Sequence, residues 1–242
     1  MPADAPTILA TSGGIREGRR TRYEFSALTD YAVDLSGVTG TAPRVCFLAT
    51  AHGDDSAALR NLYDAAQLRG FTASHLALFP MPNVDDIEGL LLDQDVVWVA
   101  GGSVAGLLAM SRLHGVDAAM RTAWRAGVVL TGISAGSICW HRGGTTDSFG
   151  PELRPVTNGL ALVPFSNGVH YDSEGQRRPL FQRLIGEGTL PPGYATDDGA
   201  GVLYRDTDFV EAVSERNGAS TYFVTSTQDG GVTEDTLDTR RL

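Results

Sequence analysis

A serine between two glycines stands out as a candidate nucleophile. Residues 128–140 read as an apolar strand, then the pentapeptide Gly132-Ile-Ser-Ala-Gly136, then an apolar segment with the pattern of a helix. Gly-x-Ser-x-Gly between a strand and a helix is typical of a nucleophile elbow, in which a sharp turn exposes the serine hydroxyl above the sheet. We therefore interpret Ser134 as a nucleophile and the backbone N–H of Ala135 as a donor to an oxyanion. The alternative is a strand-to-helix turn without chemistry.

A serine nucleophile needs a base, and the chain has five histidines. His75 falls inside a predicted strand, and His114 in a turn between two predicted helices. His52 follows a predicted strand, so we expect it near the carboxyl edge of the sheet, where a site would lie. It stands beside two aspartates that suit helix capping. His141 is seven residues beyond Ser134. In a continuous helix that is about 10 Å along the axis, too far for direct proton transfer.

His170 is the remaining candidate, because it precedes the polar stretch 171–178, where its ring could face a cleft. Asp197 and Asp198 offer an acid, since either carboxylate could accept a hydrogen bond from the second ring nitrogen. A hairpin turn at Asp198-Gly199 explains these residues equally well. The chain order Ser134, His170, Asp198 differs from that of an α/β-hydrolase, in which the histidine comes last. That fold is therefore disfavoured.

Alternating strands and helices precede and follow the serine and would have to position it. We predict a first strand from Thr7 into a glycine turn, strands at 44–50, 72–79 and 95–102, helices at 54–68, 84–92, 104–111 and 116–126, and a helix within 26–35. This alternation predicts an α/β fold with a doubly wound, mostly parallel sheet and flanking helices. Ligands of such sheets bind beyond the carboxyl ends of the strands, which is where Ser134 would lie.

The second half of the chain has shorter predicted elements. We predict a loop at 143–155, strands at 160–165, 201–204, 209–213 and 221–224, and a helix at 178–186. The turn at 216–219, Arg-Asn-Gly-Ala, predicts an antiparallel extension at one edge of the sheet. Because no linker or repeat interrupts the pattern, we predict a single α/β domain over residues 1–242.

Composition limits the class of function. The net charge of −10 argues against a nucleic acid or an anionic membrane as partner. All 19 basic side chains are arginines, which excludes a lysine Schiff base and a Walker-type phosphate loop. Cys46 and Cys139 lie outside any metal-type cluster, so we expect core packing. The chain lacks a signal-peptide pattern and any apolar run of about 20 residues, so we expect a cytoplasmic protein.

Together these segments resemble the S51 peptidases, the family of peptidase E (α-aspartyl dipeptidase), with cyanophycinase a more distant relative. The likeness spans roughly residues 5–225 and rests on Gly101-Gly102, 132–140, Thr146-Asp147-Ser148, 169–174 and Asp198-Gly199. It implies a fold related to class I glutamine amidotransferases and a serine mechanism without metal or cofactor. On this chain it makes Ser134 the nucleophile, His170 the base, Asp198 the acid, and Gly102 and Ala135 the oxyanion-hole donors.

The chain also departs from the family pattern. The family's Gly-Gly-Asn-Thr is Gly-Gly-Ser-Val at 101–104, and the acid is aspartate where peptidase E has glutamate. Peptidase E binds the N-terminal aspartyl carboxylate of its substrate with an arginine downstream of the histidine. The nearest matches here are Arg177 and, beside it, Arg178, on a shorter loop.

From the residues and the resemblance we predict a serine exopeptidase that hydrolyses short peptides. Dipeptides with N-terminal aspartate are the candidate substrates, with Arg177 or Arg178 on the carboxylate. One alternative is an esterase or amidase on a non-peptide substrate. The other is a catalytically silent member of the fold that binds a small ligand. The oligomeric state is left open, with monomer and dimer both compatible.

Overall fold

Two large β-sheets, one small hairpin and seven α-helices make up residues 3–242, which a computed structural model describes. The strands are β1 (Thr7–Thr11), β2 (Ile15–Glu17), β3 (Tyr23–Phe25), β4 (Arg44–Leu48), β5 (Thr72–Leu76), β6 (Val96–Val99), β7 (Val129–Ile133), β8 (Gly143–Thr146), β9 (Arg154–Val156), β10 (Ser166–Gly168), β11 (Gly193–Thr196), β12 (Ala200–Arg205), β13 (Asp208–Ser214), β14 (Thr221–Ser226), β15 (Val232–Leu237) and β16 (Thr239–Arg241). The helices are α1 (Ala27–Asp34), α2 (Ser56–Arg69), α3 (Ile87–Leu92), α4 (Val104–Leu113), α5 (Val116–Arg125), α6 (Ala135–Ile138) and α7 (Arg177–Gly186). None of these helices is both long and apolar enough to cross a bilayer.

The larger sheet has the strand order β16-β13-β12-β1-β7-β6-β4-β5. Its strands β1, β7, β6, β4 and β5 are parallel. On the other side of β1 the sheet continues antiparallel through β12 and β13, and β16 then joins β13 in parallel. The prediction of a mostly parallel α/β sheet with flanking helices and an antiparallel extension near the C-terminus is confirmed.

Successive side chains of the parallel strands pack into two different hydrophobic cores, one on each face of the sheet. Ile8 and Ala10 of β1 pack in a cluster with side chains of α4 and α5, whereas Leu9 packs in a second cluster with side chains of α1 and α2. Side chains alternate across a strand, so both faces of this sheet are covered by helices. A strand buried on both faces must be apolar throughout, which explains why β4 and β6 were readable as continuous apolar runs.

A second sheet, which the sequence did not predict, has the order β15-β14-β11-β10-β8-β9. Tyr194 of β11 contacts Tyr204 of β12 edge to face, with ring centroids 5.8 Å apart, so the two sheets share a core. On the other face of the second sheet, Phe181 and Leu184 of α7 pack against Ala195. The prediction of a single domain over residues 1–242 stays a prediction.

Three predictions for the second half are wrong. Residues 143–155, predicted as a loop, contain β8 and the start of β9, and residues 160–165 form no strand, because β10 begins only at Ser166. Residues 221–224 lie in β14 of the second sheet, not at the edge of the first. Glycines bring backbones together in β8, where a Cβ on Gly144 would overlap the carbonyl oxygen of Asn167. Apolar periodicity cannot detect strands of this kind.

Candidate active site

Ser134 occupies the turn between β7 and α6, with a backbone φ of 57° and ψ of −111°. A positive φ is strained for serine, by about 1–3 kcal/mol, and strain of this kind clusters at functional sites. The flanking glycines permit the turn: a Cβ on Gly132 would lie 2.6 Å from the carbonyl oxygen of Val99, and one on Gly136 would overlap the same atom. The strand, sharp turn and helix of the predicted elbow are therefore present, although α6 has only four residues.

Two backbone N–H groups lie beside the serine. Within residues 3–242 neither the N–H of Gly102 nor that of Ala135 donates a hydrogen bond. Gly102 has a φ of 118°, and a Cβ there would lie 2.5 Å from the carbonyl oxygen of Ala51, so only glycine fits. Its neighbour Gly101 lies against the serine, since a Cβ on Gly101 would be 3.3 Å from Ser134 Cβ. Free N–H donors in this position can stabilise charge developing on a carbonyl oxygen.

His170 and Asp198 form a hydrogen-bonded pair on neighbouring loops. His170 follows β10 and Asp198 follows β11, and because these strands are adjacent and parallel their carboxyl ends meet. Nδ1 of His170 lies 2.6 Å from Oδ1 of Asp198. A carboxylate oxygen can only accept, so Nδ1 carries the hydrogen, and in the neutral ring Nε2 is then the acceptor. The pair has the tautomer that a general base requires.

The end of β1 holds the serine and the histidine on one edge of the molecule. The carbonyl oxygen of Thr11 accepts from the N–H of Ser134 at 3.1 Å, and the hydroxyl of Ser12 accepts from the N–H of His170 at 3.2 Å. His170 itself has a φ of 52°. Ser12 was not among the predicted site residues, although its position at the end of a strand, before two glycines, was a usable signal.

Ser134 and His170 line adjoining cavities. The cavity that contains Ser134 has a volume of about 440 Å³, and the one that contains His170 has about 710 Å³. Ile15 and Ile133 line both. Within residues 3–242 no hydrogen bond joins Ser134 Oγ to the His170 ring. Catalytic hydrogen bonds are often long without substrate and tighten when it binds.

Asp197, the alternative acid, faces away from His170. Its Oδ2 accepts from the N–H of Ser220 at 2.9 Å and from the hydroxyl of Tyr222 at 3.4 Å. Burial raises the pKa of the Asp197 carboxyl above its ordinary value. Of the two aspartates that the sequence left open, the structure brings Asp198 to the histidine.

The remaining histidines do not reach Ser134 through a hydrogen bond. His141 is fully buried, with Nδ1 2.9 Å from the carbonyl oxygen of Ser137 and Nε2 3.0 Å from the hydroxyl of Tyr204, and burial lowers its pKa to about 4. It is a core residue. His75 pairs with a tyrosine hydroxyl, and His114 caps the end of α4. His52 lines the cavity of Ser134, in an exposed position.

Arg177 and Arg178 begin α7 and line neither cavity. Arg177 is only 3% exposed, and its guanidinium donates to Glu174 at 2.8 Å and to the carbonyl oxygen of Thr145 at 2.6 Å. Arg178 pairs with Glu234 on the second sheet. The structure therefore brings neither arginine to the cavities of Ser134 and His170, and their binding of a substrate carboxylate stays a prediction.

Besides the carboxylates of Asp30, Asp198 and Glu215, the His170 cavity is lined by four arginines that were not predicted from the sequence. They are Arg16, Arg69, Arg216 and Arg241. The first three form ion pairs with carboxylates. Within residues 3–242, Arg241 has no carboxylate partner, and its Nη1 donates only to the carbonyl oxygen of Ser214, at 3.1 Å. Nothing in the sequence pattern indicated Arg241, because it reaches the site through the pairing of β16 with β13.

Comparison with known proteins identifies relatives over most of the chain. Residues 8–212 match the family described as Peptidase family S51. Over 182 residues the chain is 41% identical to the uncharacterized peptidase YgaJ of Bacillus subtilis (strain 168), which covers 75% of this chain and 78% of that protein. Over 161 residues it is 30% identical to peptidase E of Shewanella denitrificans, covering 62% and 67%. The crystal structure of a peptidase from an acI-B1 Actinobacterium has the same fold, with a TM-score of 0.68 at 13% identity over 96% of this chain and 95% of that one.

Proposed function

The chain belongs to peptidase family S51, and we propose that it is a serine exopeptidase that cleaves short peptides through an acyl-enzyme. One observation carries the proposal. Ser134 sits in a strained elbow on the same edge of the molecule as the hydrogen-bonded pair of His170 and Asp198, whose tautomer leaves Nε2 free to accept a proton. The free N–H groups of Gly102 and Ala135 add the donors that acyl transfer needs.

The proposed reaction has two stages. Nε2 of His170 takes the proton of the Ser134 hydroxyl while Oγ bonds to the scissile carbonyl carbon, and the N–H groups of Gly102 and Ala135 bind the oxyanion. The imidazolium, stabilised by Asp198, then gives its proton to the amine as the C–N bond breaks. Water, deprotonated by the same nitrogen, then attacks the acyl carbonyl carbon. The ester bond to Ser134 Oγ breaks, the imidazolium returns its proton to Oγ, and the acid is released.

The arginines of the His170 cavity support a short substrate. The leaving amine must receive its proton from His170, so the residue that carries this amine lies in that cavity. In a dipeptide the same residue carries the free C-terminal carboxylate. Arg241, which lacks a carboxylate partner within residues 3–242, is the side chain that would bind it, since a guanidinium matches a carboxylate with two parallel hydrogen bonds.

The test is hydrolysis of a panel of dipeptides and tripeptides by the wild type, Ser134→Ala and Ser137→Ala. Ser137 lies one turn away, and its hydroxyl bonds to Asn167 Oδ1 at 2.8 Å, so it is a matched control. We expect Ser134→Ala to lose about 10⁴–10⁶ in kcat. Ser137→Ala should stay within a few-fold of the wild type per folded molecule, with folding checked by circular dichroism. Near-full activity of Ser134→Ala would show that another group is the nucleophile.

A further inference from the structure

We propose that the cavity beside Ser134 selects substrates whose acyl residue has an uncharged, apolar side chain. This acyl cavity is lined by Ile15, Asn61, Leu62, Trp98, Gly102 and Ser134, among others. The inference rests on the proposed serine peptidase function and names its substrate class. It is the opposite of a preference for N-terminal aspartate.

The position of His170 decides which part of the substrate enters which cavity. A general acid must lie next to the leaving amine, so the leaving residue occupies the His170 cavity. The acyl residue remains bonded to Ser134 Oγ after the amine departs, and it must lie on the other side of the serine. Ser134 and the oxyanion donor Gly102 both line the acyl cavity, and His170 does not. The acyl side chain therefore has the acyl cavity to fill.

The walls of the acyl cavity are mainly hydrocarbon. Ile15, Leu62 and Ile133 are aliphatic, and Trp98 is only 3% exposed. The indole N–H of Trp98 donates to the hydroxyl of Thr29 at 3.3 Å, so the ring offers the cavity no free donor. A volume of about 440 Å³ lies within the ordinary range of ligand pockets. An apolar side chain that enters loses water contact and finds matching surface.

The charges around the acyl cavity oppose an acidic side chain. Its titratable lining residues are Tyr23, His52 and Asp55, and no arginine is among the described residues that line it. The Asp55 carboxylate caps α2, accepting from the N–H of Ala58 at 2.8 Å. An aspartyl carboxylate in this cavity would lose hydration, meet a like charge and find no arginine to pair with.

The first experiment measures kcat/KM of the wild type for X-Ala dipeptides in which only the acyl residue changes. The leaving residue is constant, so differences report the acyl cavity alone. We expect Leu-Ala and Phe-Ala to be hydrolysed with at least about tenfold higher kcat/KM than Asp-Ala. Equal or faster hydrolysis of Asp-Ala would overturn the inference.

Two variants of α2 test the cavity directly. Ala58 and Asn61 both line it. Ala58→Met should fill it and lower the ratio of kcat/KM for Leu-Ala or Phe-Ala to that for Gly-Ala about tenfold. Asn61→Arg places a cation in the cavity and should raise the Asp-Ala to Leu-Ala ratio about tenfold. Gln67→Met, on an exposed position of the same helix, is the control and should change neither ratio. Unchanged ratios in both cavity variants would also overturn the inference.

Labelling by a serine-directed fluorophosphonate separates this inference from the proposed function. The reagent needs an activated Ser134 and tests no preference for an amino-acid side chain. Labelling of the wild type together with a preference for Asp-Ala would overturn the cavity assignment and leave the peptidase proposal standing. A chain that neither labels nor hydrolyses any dipeptide would overturn both.

Discussion

Replacement of Asp198 by asparagine should leave His170 unable to act as a base while the backbone around residue 198 stays in place. Oδ1 of Asp198 lies 2.6 Å from Nδ1 of His170, and a carboxylate can only accept there. Asparagine has the same shape, but its amide nitrogen can donate to Nδ1. The ring proton would then sit on Nε2, the atom that has to accept the proton of Ser134. The backbone should stay in place, because the Asp198 N–H donates to Asp172 Oδ1 and its carbonyl oxygen accepts from Arg216.

The expected loss follows from the exposure of the pair. A wrong tautomer in a buried triad costs about 10⁴ in kcat, which is about 5 kcal/mol. Here the side chain of Asp198 is 41% exposed and that of His170 20%, so water can partly replace the carboxylate. We therefore expect a loss of about 10²–10⁴ in kcat for dipeptide hydrolysis at neutral pH, measured by the release of free amine.

Asp197→Asn is the matched control. Its carboxylate bonds to the N–H of Ser220, and burial raises its pKa, so an amide removes a charge that burial disfavours. We expect kcat within about threefold of the wild type and a melting temperature that is unchanged or higher. If Asp197→Asn lost more activity than Asp198→Asn, our identification of the acid would be refuted.

Two further predictions concern the framework of the site. His141 is fully buried with its pKa lowered from 6.5 to about 4, so between these values the unfolded chain binds a proton that the folded one does not. Stability should fall as pH drops through this window, by about 3 kcal/mol in total. Urea unfolding near pH 7 and near pH 4.5 should show a smaller acid loss for His141→Gln than for the wild type, and an equal loss would contradict the assignment. Gly136→Ala should cost about 1–3 kcal/mol or more and lower activity, because its Cβ would overlap the Val99 carbonyl oxygen. Gly175→Ala, where nothing lies within 4 Å, should leave thermal melts unchanged, and equal melts for both variants would show that the elbow tolerates the side chain.

The parallel sheet was predictable because burial on both faces leaves a direct trace in the sequence. Strands β4 and β6 are largely apolar runs, and α2 begins at Ser56 with Asp55 as its N-cap, as expected. The elbow was also readable, since Gly132 and Gly136 are required by close contacts with one carbonyl group. In these elements the local sequence pattern favours the same structure that the tertiary fold requires.

The second sheet and the arginines were not predictable, for a physical reason. The strands β8 and β10 have the sequences Gly-Gly-Thr-Thr and Ser-Asn-Gly, and close backbone approach rather than apolar alternation holds them. Arg177 matched a family position by spacing, but spacing does not reveal that its guanidinium is hydrogen-bonded to Glu174 and to the carbonyl oxygen of Thr145. Arg241 enters the site only through strand pairing in three dimensions.

The acyl-enzyme itself is the most direct test of the mechanism. The wild type would be mixed with the p-nitrophenyl ester of leucine, quenched with acid during turnover and digested with trypsin, and the peptide 126–142, which ends at Arg142, would be analysed by tandem mass spectrometry. We predict a leucyl adduct on Ser134 in the wild type and none on the same peptide of Ser134→Ala. Continued turnover with the adduct on another residue would contradict the account.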